Sequence, residues 1–265
     1  MDQFLTVAQE AAHQAGVLLR ANWLEPKTIE IKTDIVDLVT NVDKAADALI
    51  TSTLRAAFPT HKIIAEESAA SGQESPYCWY IDPLDGTTNF AHSFPHFAVS
   101  IALAYESRVI AGVVHDPLRN ETFCASRGNG ATLNGAPIHI SPAPTLEQAL
   151  VLTGFPYDRR KRSEFYLRFY QAFMLRTQGV RRCGSAALDL SYVACGRADA
   201  FWEWRLHPWD TAAGSLLVEE AGGRMSNFSG GPFEVTAEQT LASNGLLHQE
   251  MIEVLRQVLS ATRQE

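Results

Sequence analysis

Two aspartates, Asp82 and Asp85, stand three residues apart in the stretch "WYIDPLDGTTNF", and Gly86, Thr87 and Thr88 follow at once. Upstream, Glu66 and Glu67 close the short apolar run "KIIA"; far downstream, Asp210 opens "DTAAGSLLVEEAG". Carboxylates gathered at one place repel one another unless they are protonated or a cation neutralises them. An all-oxygen set, with neither histidine nor thiolate at ligand spacing, suits Mg²⁺ or Mn²⁺ rather than zinc. Pro83 fixes a turn in which Asp82, Asp85 and the Leu84 carbonyl can face one point. Gly86 lets the backbone approach a ligand closely, and Thr87 and Thr88 open a helix whose free amides attract anions. Metal and phosphate would therefore meet at this turn.

Each piece alone has a plainer reading. Asp85, Asp210 and Asp43 of "DLVTNVDKAAD" each read singly as a helix N-cap, and only their combination argues for a site. His92, His96, His115 and His207 read as packing or surface residues, and Trp202 and Trp204, flanking Glu203, as packing residues. Cys78, Cys124, Cys183 and Cys195 are scattered without a CxxC pair or a histidine at ligand spacing, so they read as reduced packing residues.

The elements that must position these residues follow from periodicity. Phe4, Val7, Ala8, Ala11, Ala15, Leu18 and Leu19 mark one face of an opening helix that ends before Pro26. Ala46, Leu49, Ile50, Leu54 and Ala57 mark a second helix, closed by Pro59. "KIIA" and "CWYI" read as short buried strands ending in acids. "AVSIALAY", "VIAGVVHD" and "ETFCAS" read as an antiparallel sheet, with Asn134-Gly135 as a hairpin signal. The second half alternates: strand 150–153, helix 163–177, strand 180–182, helix 186–195, strand "DAFWE" and the helix from Asp210. This gives an α/β protein, an α+β half over 1–143 carrying Glu66, Asp82 and Asp85, then an α/β half over 144–265 carrying Glu203 and Asp210. The prolines of "SPAPTL" lie at the boundary, and the halves pack tightly enough to count as one domain.

With 265 residues the chain can bury a large core, and its longest apolar runs are too short to span a bilayer. The N-terminus lacks the basic start and apolar block of a signal peptide, which reads as cytoplasmic. A formal charge of -8 argues against nonspecific nucleic-acid binding by the whole surface. The basic segment "YDRRKRSEF", with Arg168, Arg176, Arg181 and Arg182, reads as a solvated face or a site rim before an RNA contact.

Together "DLVTNVD", "IIAEES", "WYIDPLDGTTNFAHSFPHFAVSIAL", "GVVHDP", "GSAALDL" and "HPWDTAAGSLLVEEAGG" resemble the inositol monophosphatase family, closest to its bacterial SuhB-type branch, over nearly the whole chain. The resemblance implies the layered α-β-α-β-α sandwich of the inositol monophosphatase and fructose-1,6-bisphosphatase-like sugar phosphatases. It implies a lithium-sensitive, Mg²⁺-dependent hydrolase of inositol monophosphate and related sugar or polyol phosphates, with two or three metals per subunit.

On these positions, Glu66, Asp82 and the Leu84 carbonyl would hold one metal, and Asp82, Asp85 and Asp210 a second, with Glu67 behind them. Lys32 and Asp43 would lie near a weaker third metal or the attacking water, on the mobile loop "KTDIVD". Asp85, Gly86, Thr87, Gly184, Ser185, Ala186, Glu203 and Asp210 would contact substrate. In the implied mechanism Thr87 and Glu66, with Asp82, activate a water for direct in-line attack on phosphorus, without a phosphoenzyme. The resemblance also implies a homodimer and a non-catalytic contact with a ribosomal RNA transcription complex. Nucleotide 3′-phosphate, fructose 1,6-bisphosphate and histidinol phosphate stay open as substrates.

Overall fold

The computed structural model describes residues 2–32 and 34–262. The chain opens with helix α1 (Asp2–Asn22), whose buried stripe of Ala8, Ala11, Ala12, Ala15 and Leu19 is small enough for α2 (Asn41–Ala57) to pack beside it through Ala46 and Ile50. Between them a hairpin of β1 (Ile29–Ile31) and β2 (Leu38–Thr40) carries Lys32 in its connection. Sequence periodicity did not show this hairpin, because each strand is only three residues long.

A seven-stranded sheet follows, in the order β3 (Lys62–Ala65), β4 (Tyr77–Asp85), β5 (Ala98–Tyr105), β6 (Arg108–Asp116), β7 (Glu121–Ser126), β8 (Ala131–Leu133) and β9 (Ala136–Pro137). Only β3 and β4 are parallel in it; the other neighbours are antiparallel. Strand β5 is apolar almost throughout because both faces are covered: Val99, Ile101 and Leu103 join the core under α1 and α2, while Ala98, Ala102 and Ala104 join the core on the other side.

That other side is filled by α5 (Ala186–Ala194) and α6 (Pro208–Glu220), through Leu188, Leu190, Ala212, Ala213, Leu216 and Leu217. Contact is close at Gly112 of β6, where an added Cβ would stand 2.9 Å from the Ala213 Cα. A five-stranded sheet covers the opposite faces of these helices, in the order β11 (Gly179–Arg181), β10 (Leu150–Thr153), β12 (Ala200–Trp204), β14 (Gln239–Ser243) and β13 (Arg224–Ser226). Its outer face packs on α4 (Ser163–Met174) and α7 (His248–Thr262) through Val151, Trp202, Leu241, Phe169, Phe173, Met251 and Leu255. The layers therefore run α1/α2, sheet, α5/α6, sheet, α4/α7, the α-β-α-β-α sandwich that the resemblance implies.

All strands of the seven-stranded sheet lie within residues 62–137 and all strands of the five-stranded sheet within 150–243. No helix among the described residues is long and apolar enough to cross a membrane.

Candidate active site

The parallel pairing of β3 and β4 brings the first two acids together. Ala65 pairs with Ile81, so Glu66 and Asp82 occupy the next step of the same register, and the Glu66 amide continues the ladder to the Ile81 carbonyl at 3.1 Å. Strand β4 does not stop at Ile81, as its apolar run suggested, but continues to Asp85 through a bulge between Asp82 and Asp85. Pro83, which has no amide to lose from the ladder, sits in that bulge. The Leu84 amide donates to Asp82 Oδ1 at 3.0 Å, which fixes the turn from within.

Gly86 follows with φ at 98°, a left-handed conformation that favours glycine. It is also hemmed in, since an added Cβ would stand 3.1 Å from the His96 carbonyl oxygen and 3.2 Å from that of Gly184. The helix after it, α3 (Thr87–Ala91), is a single turn, capped by Gly86 rather than Asp85. Asp85 instead accepts from the Ser185 hydroxyl at 2.6 Å and the Ala187 amide at 2.7 Å, so the start of α5 in the second half holds a carboxylate from the first. Ser185 is the N-cap of α5, which explains its position between the two.

Neither Asp43 nor Asp210 is the N-cap that each resembles when read alone. Both are third residues of a helix and reach back over the first turn. Asp43 accepts from the Thr40 amide at 3.0 Å, Thr40 being the N-cap of α2. Asp210 accepts from the His207 amide at 2.7 Å, with Pro208 opening α6 two residues earlier than the sequence suggested. Asp43, only 1% exposed, also accepts from the Thr87 hydroxyl at 3.0 Å. That hydroxyl lies 3.1 Å from the Leu84 carbonyl oxygen and has one hydrogen to share between them.

Lys32 reaches from the hairpin to Glu66 at 2.9 Å and to Glu67. Burial, which works against its charge, is outweighed by Glu66 and Glu67, so its pKa rises. Thr33, next to it in the "KTDIVD" loop, lies outside the described residues. Glu203, on β12, lies against Gly154, where an added Cβ would come within 2.1 Å of its Oε2. Trp202 points away from the site into the outer core, while Trp204 reaches both that core and the cavity.

These groups line one cavity of about 360 Å³, a volume within the range of small-ligand sites. Glu66, Asp82, Leu84, Asp85, Gly86, Thr87, Gly184, Ser185, Ala186, Glu203, Asp210 and Lys32 are all on its wall. Asp43 is not, and meets the cavity through Thr87. Gly154, Tyr157, Arg159 and Arg182 also line it and were not singled out as site residues from the sequence. Arg159 and Arg182 belong to the basic segment read there as a solvated face or site rim. Tyr157 opens the same segment.

The electrostatics are those of anions short of a partner. Burial, then Glu66, Asp85 and Asp210, push the Asp82 pKa well above the carboxylate range. Burial, then Glu66 and Asp85, do the same to Asp210. Asp85 is pushed up to about 6 by burial, in spite of its bonds from Ser185 and Ala187. Burial raises Glu203 to about 8 although Arg182 and Arg159 oppose it, and burial raises Glu67 to about 7 against the pull of Lys32.

An acid whose folded pKa is raised holds more protons folded than unfolded. Its contribution to stability is therefore lost as pH rises from the ordinary carboxylate value through the folded one. Metal-free protein is accordingly expected to unfold at progressively lower temperature between about pH 4 and about pH 8, the value reached by Glu203. Saturating Mg²⁺ should remove most of that slope. Thermal unfolding across this range, with and without Mg²⁺, checks it, and a slope unaffected by Mg²⁺ would mean that these carboxylates do not meet a cation.

The donor set fits a hard divalent cation. It is all oxygen and largely buried, and burial together with the neighbouring carboxylates pushes the Asp82 and Asp210 pKa values well up.

A sequence profile described as the inositol monophosphatase family matches residues 1–260. An inositol-1-monophosphatase of Synechocystis is 44% identical over 100% of this chain and 91% of its own length. A protein of Pseudomonas aeruginosa named Nus factor SuhB is 48% identical over 87% of each chain. In structure, an inositol monophosphatase from Anabaena superposes with a TM-score of 0.89 at 41% identity, covering 98% of both chains.

Proposed function

The chain belongs to the inositol monophosphatase family, and from that premise we propose that it is a Mg²⁺-dependent phosphomonoesterase that hydrolyses inositol monophosphate and related sugar or polyol phosphates. One observation carries the reading. Carboxylates from β3's end, the β4 bulge and the first turn of α6 converge on a single cavity, where burial and the neighbouring charges raise the pKa of Asp82, Asp85 and Asp210. Glu66, Asp82 and the Leu84 carbonyl would hold one cation, and Asp82, Asp85 and Asp210 a second. Bound there, divalent cations supply neutralisation of the phosphate and leaving-group charge and a more acidic water.

The chain's own groups then have separable tasks. Thr87 orients the attacking water and takes a proton from it as its own hydroxyl proton passes to Asp43, whose pKa burial holds up and which is thus a better base than an ordinary carboxylate. Glu66 lies on the same cavity wall as the second group able to orient that water. The amides at Gly86 and Thr87 face phosphate oxygens as individual donors, since a one-turn helix brings little dipole of its own. The water attacks phosphorus in line, the phosphorus–oxygen bond breaks, the leaving oxygen takes a proton from solvent water, and the alcohol departs without a covalent enzyme intermediate. Glu203, whose pKa burial raises to about 8, can both donate to and accept from a sugar hydroxyl while it keeps its proton.

Phosphate release across a panel of inositol 1-phosphate, fructose 1,6-bisphosphate, a nucleotide 3′-phosphate and histidinol phosphate tests the specificity. Inositol 1-phosphate is expected to give the highest kcat/KM and to be inhibited by Li⁺. Turnover confined to any of the other three would reassign the substrate while leaving the phosphatase.

A second reading rests on the relative named Nus factor SuhB and on exposed arginines of the basic segment, Arg160, Arg162, Arg181 and Arg182. In it, the chain contacts a transcription complex independently of catalysis, and that contact survives Asp210→Asn. The homodimer expected for the family rests on the resemblance alone.

A further inference from the structure

Around the turn that leads into α5 lies a second cluster of a different chemical kind. His96 precedes β5, Cys183 lies in the turn before α5, and Asp189 sits within α5. Their donor atoms all lie within 4.8 Å of one another, and among the described residues this group alone combines three such ligands so closely. His96 is 6% exposed and Asp189 1%. Among the described residues, neither His96 Nε2 nor Asp189 Oδ1 has a hydrogen-bond partner, and the Asp189 carboxylate as a whole meets only the Cys183 thiol.

Two buried polar atoms facing each other without a partner are costly. They stand 4.0 Å apart. That is too far for a hydrogen bond but close to the spacing of about 3.3–3.8 Å between donors that share a tetrahedral ion with bonds of about 2.0–2.3 Å. We propose that His96, Cys183 and Asp189 form a transition-metal site of the Zn²⁺ class, separate from the carboxylate cavity.

The donor set is one imidazole, one thiolate and one carboxylate, which selects a borderline ion such as Zn²⁺ over Mg²⁺. Ion binding displaces the thiol proton and leaves two anionic donors against a divalent charge. Arg119 and Arg182 oppose a cation here, but Arg119 is already paired with Asp116 at 2.7 Å. The backbone of two ligands is fixed by one side chain: Asn89 Nδ2 donates to the His96 carbonyl at 2.7 Å and to the Cys183 carbonyl at 2.9 Å. His96 and Cys183 also line a surface cavity, which gives an ion a way in and leaves room for water as a fourth ligand. An ion there would join the first half of the chain, through His96, to the turn and helix that hold Asp85.

The test uses Co²⁺ as the probe, added to the full chain in excess Mg²⁺ so that oxygen-only sites are occupied. A thiolate-to-cobalt charge-transfer band is expected at one equivalent, displaced by Zn²⁺, together with an upward shift of the unfolding midpoint. Cys183→Ser should abolish the band, and His96→Gln, which leaves the thiol in place, should weaken Co²⁺ binding by about tenfold or more. Should Cys183→Ser fail to fold, alkylation of the wild-type chain decides, because Zn²⁺ should slow labelling of Cys183 relative to Cys195. Absence of the band in the wild type, its persistence in Cys183→Ser, or Cys183 labelling indifferent to Zn²⁺ would each overturn the proposal.

Discussion

Asp210→Asn is expected to lose nearly all turnover at ordinary Mg²⁺ while the fold survives. Two roles for this residue coexist in the structure: its Oδ2 accepts from the His207 amide at 2.7 Å, and its charge is among those that raise the Asp82 pKa. An asparagine oxygen accepts the same amide, so the bond over the first turn of α6 is kept. What disappears is a negative charge beside Glu66 and Asp85. The metal-free protein should therefore keep its stability within about 1 kcal/mol, or gain some as repulsion falls. The Mg²⁺ concentration needed for half-maximal rate should rise steeply, because a carboxylate has left the cation's surroundings. Denaturant unfolding and a Mg²⁺ titration of the rate separate the two roles, and wild-type Mg²⁺ dependence in the variant would leave Asp210 as a capping residue only.

Thr87→Ala should lower kcat by about 10²-fold or more, the scale of a positioned proton-transfer group. Loss of capping cannot account for such an effect, since Gly86 is the N-cap of α3 and Thr87 makes no cap bond. Thr87→Ser should restore most of the rate, because the hydroxyl is all that the bonds to Asp43 and Leu84 require. If Thr87 acts through Asp43, Asp43→Asn should add little to the loss in Thr87→Ala, as for groups that work as a unit. Additive losses, or a kcat near wild type in Thr87→Ala, would return the residue to a local packing role.

The legible parts of this site were those contiguous in the chain. "DPLDGTT" places Asp82, Asp85, Gly86 and Thr87 within six positions, so local turn chemistry alone points them at one region. The helices and strands read from periodicity were likewise long or strongly apolar. The ends were missed where a cap outranks the apolar pattern: Thr40 and His207 start α2 and α6, and the aspartates taken for caps are the third residues. The segments after the α6 helix went unread. Strand β13 is three residues long, and α7 shows its buried face only once Met251, Ile252 and Leu255 have the five-stranded sheet to pack against.

Pairings between distant segments had no signal in the sequence. Lys32 meets Glu66 through a hairpin of two short strands, and Asp85 meets Ser185 through the layering of α5 between the sheets. The same holds for His96, Cys183 and Asp189. Spacing along the chain excluded a zinc motif, and only the fold brings the imidazole of one half against the thiol and carboxylate of the other.

Hydrolysis, as proposed, runs on divalent cations held by Glu66, Asp82, Asp85 and Asp210. Purified chain stripped with excess EDTA should release no phosphate from inositol 1-phosphate above the uncatalysed rate, and dialysis followed by Mg²⁺ titration should restore release along a saturating curve. Full hydrolysis in excess chelator would show that turnover needs no such cation.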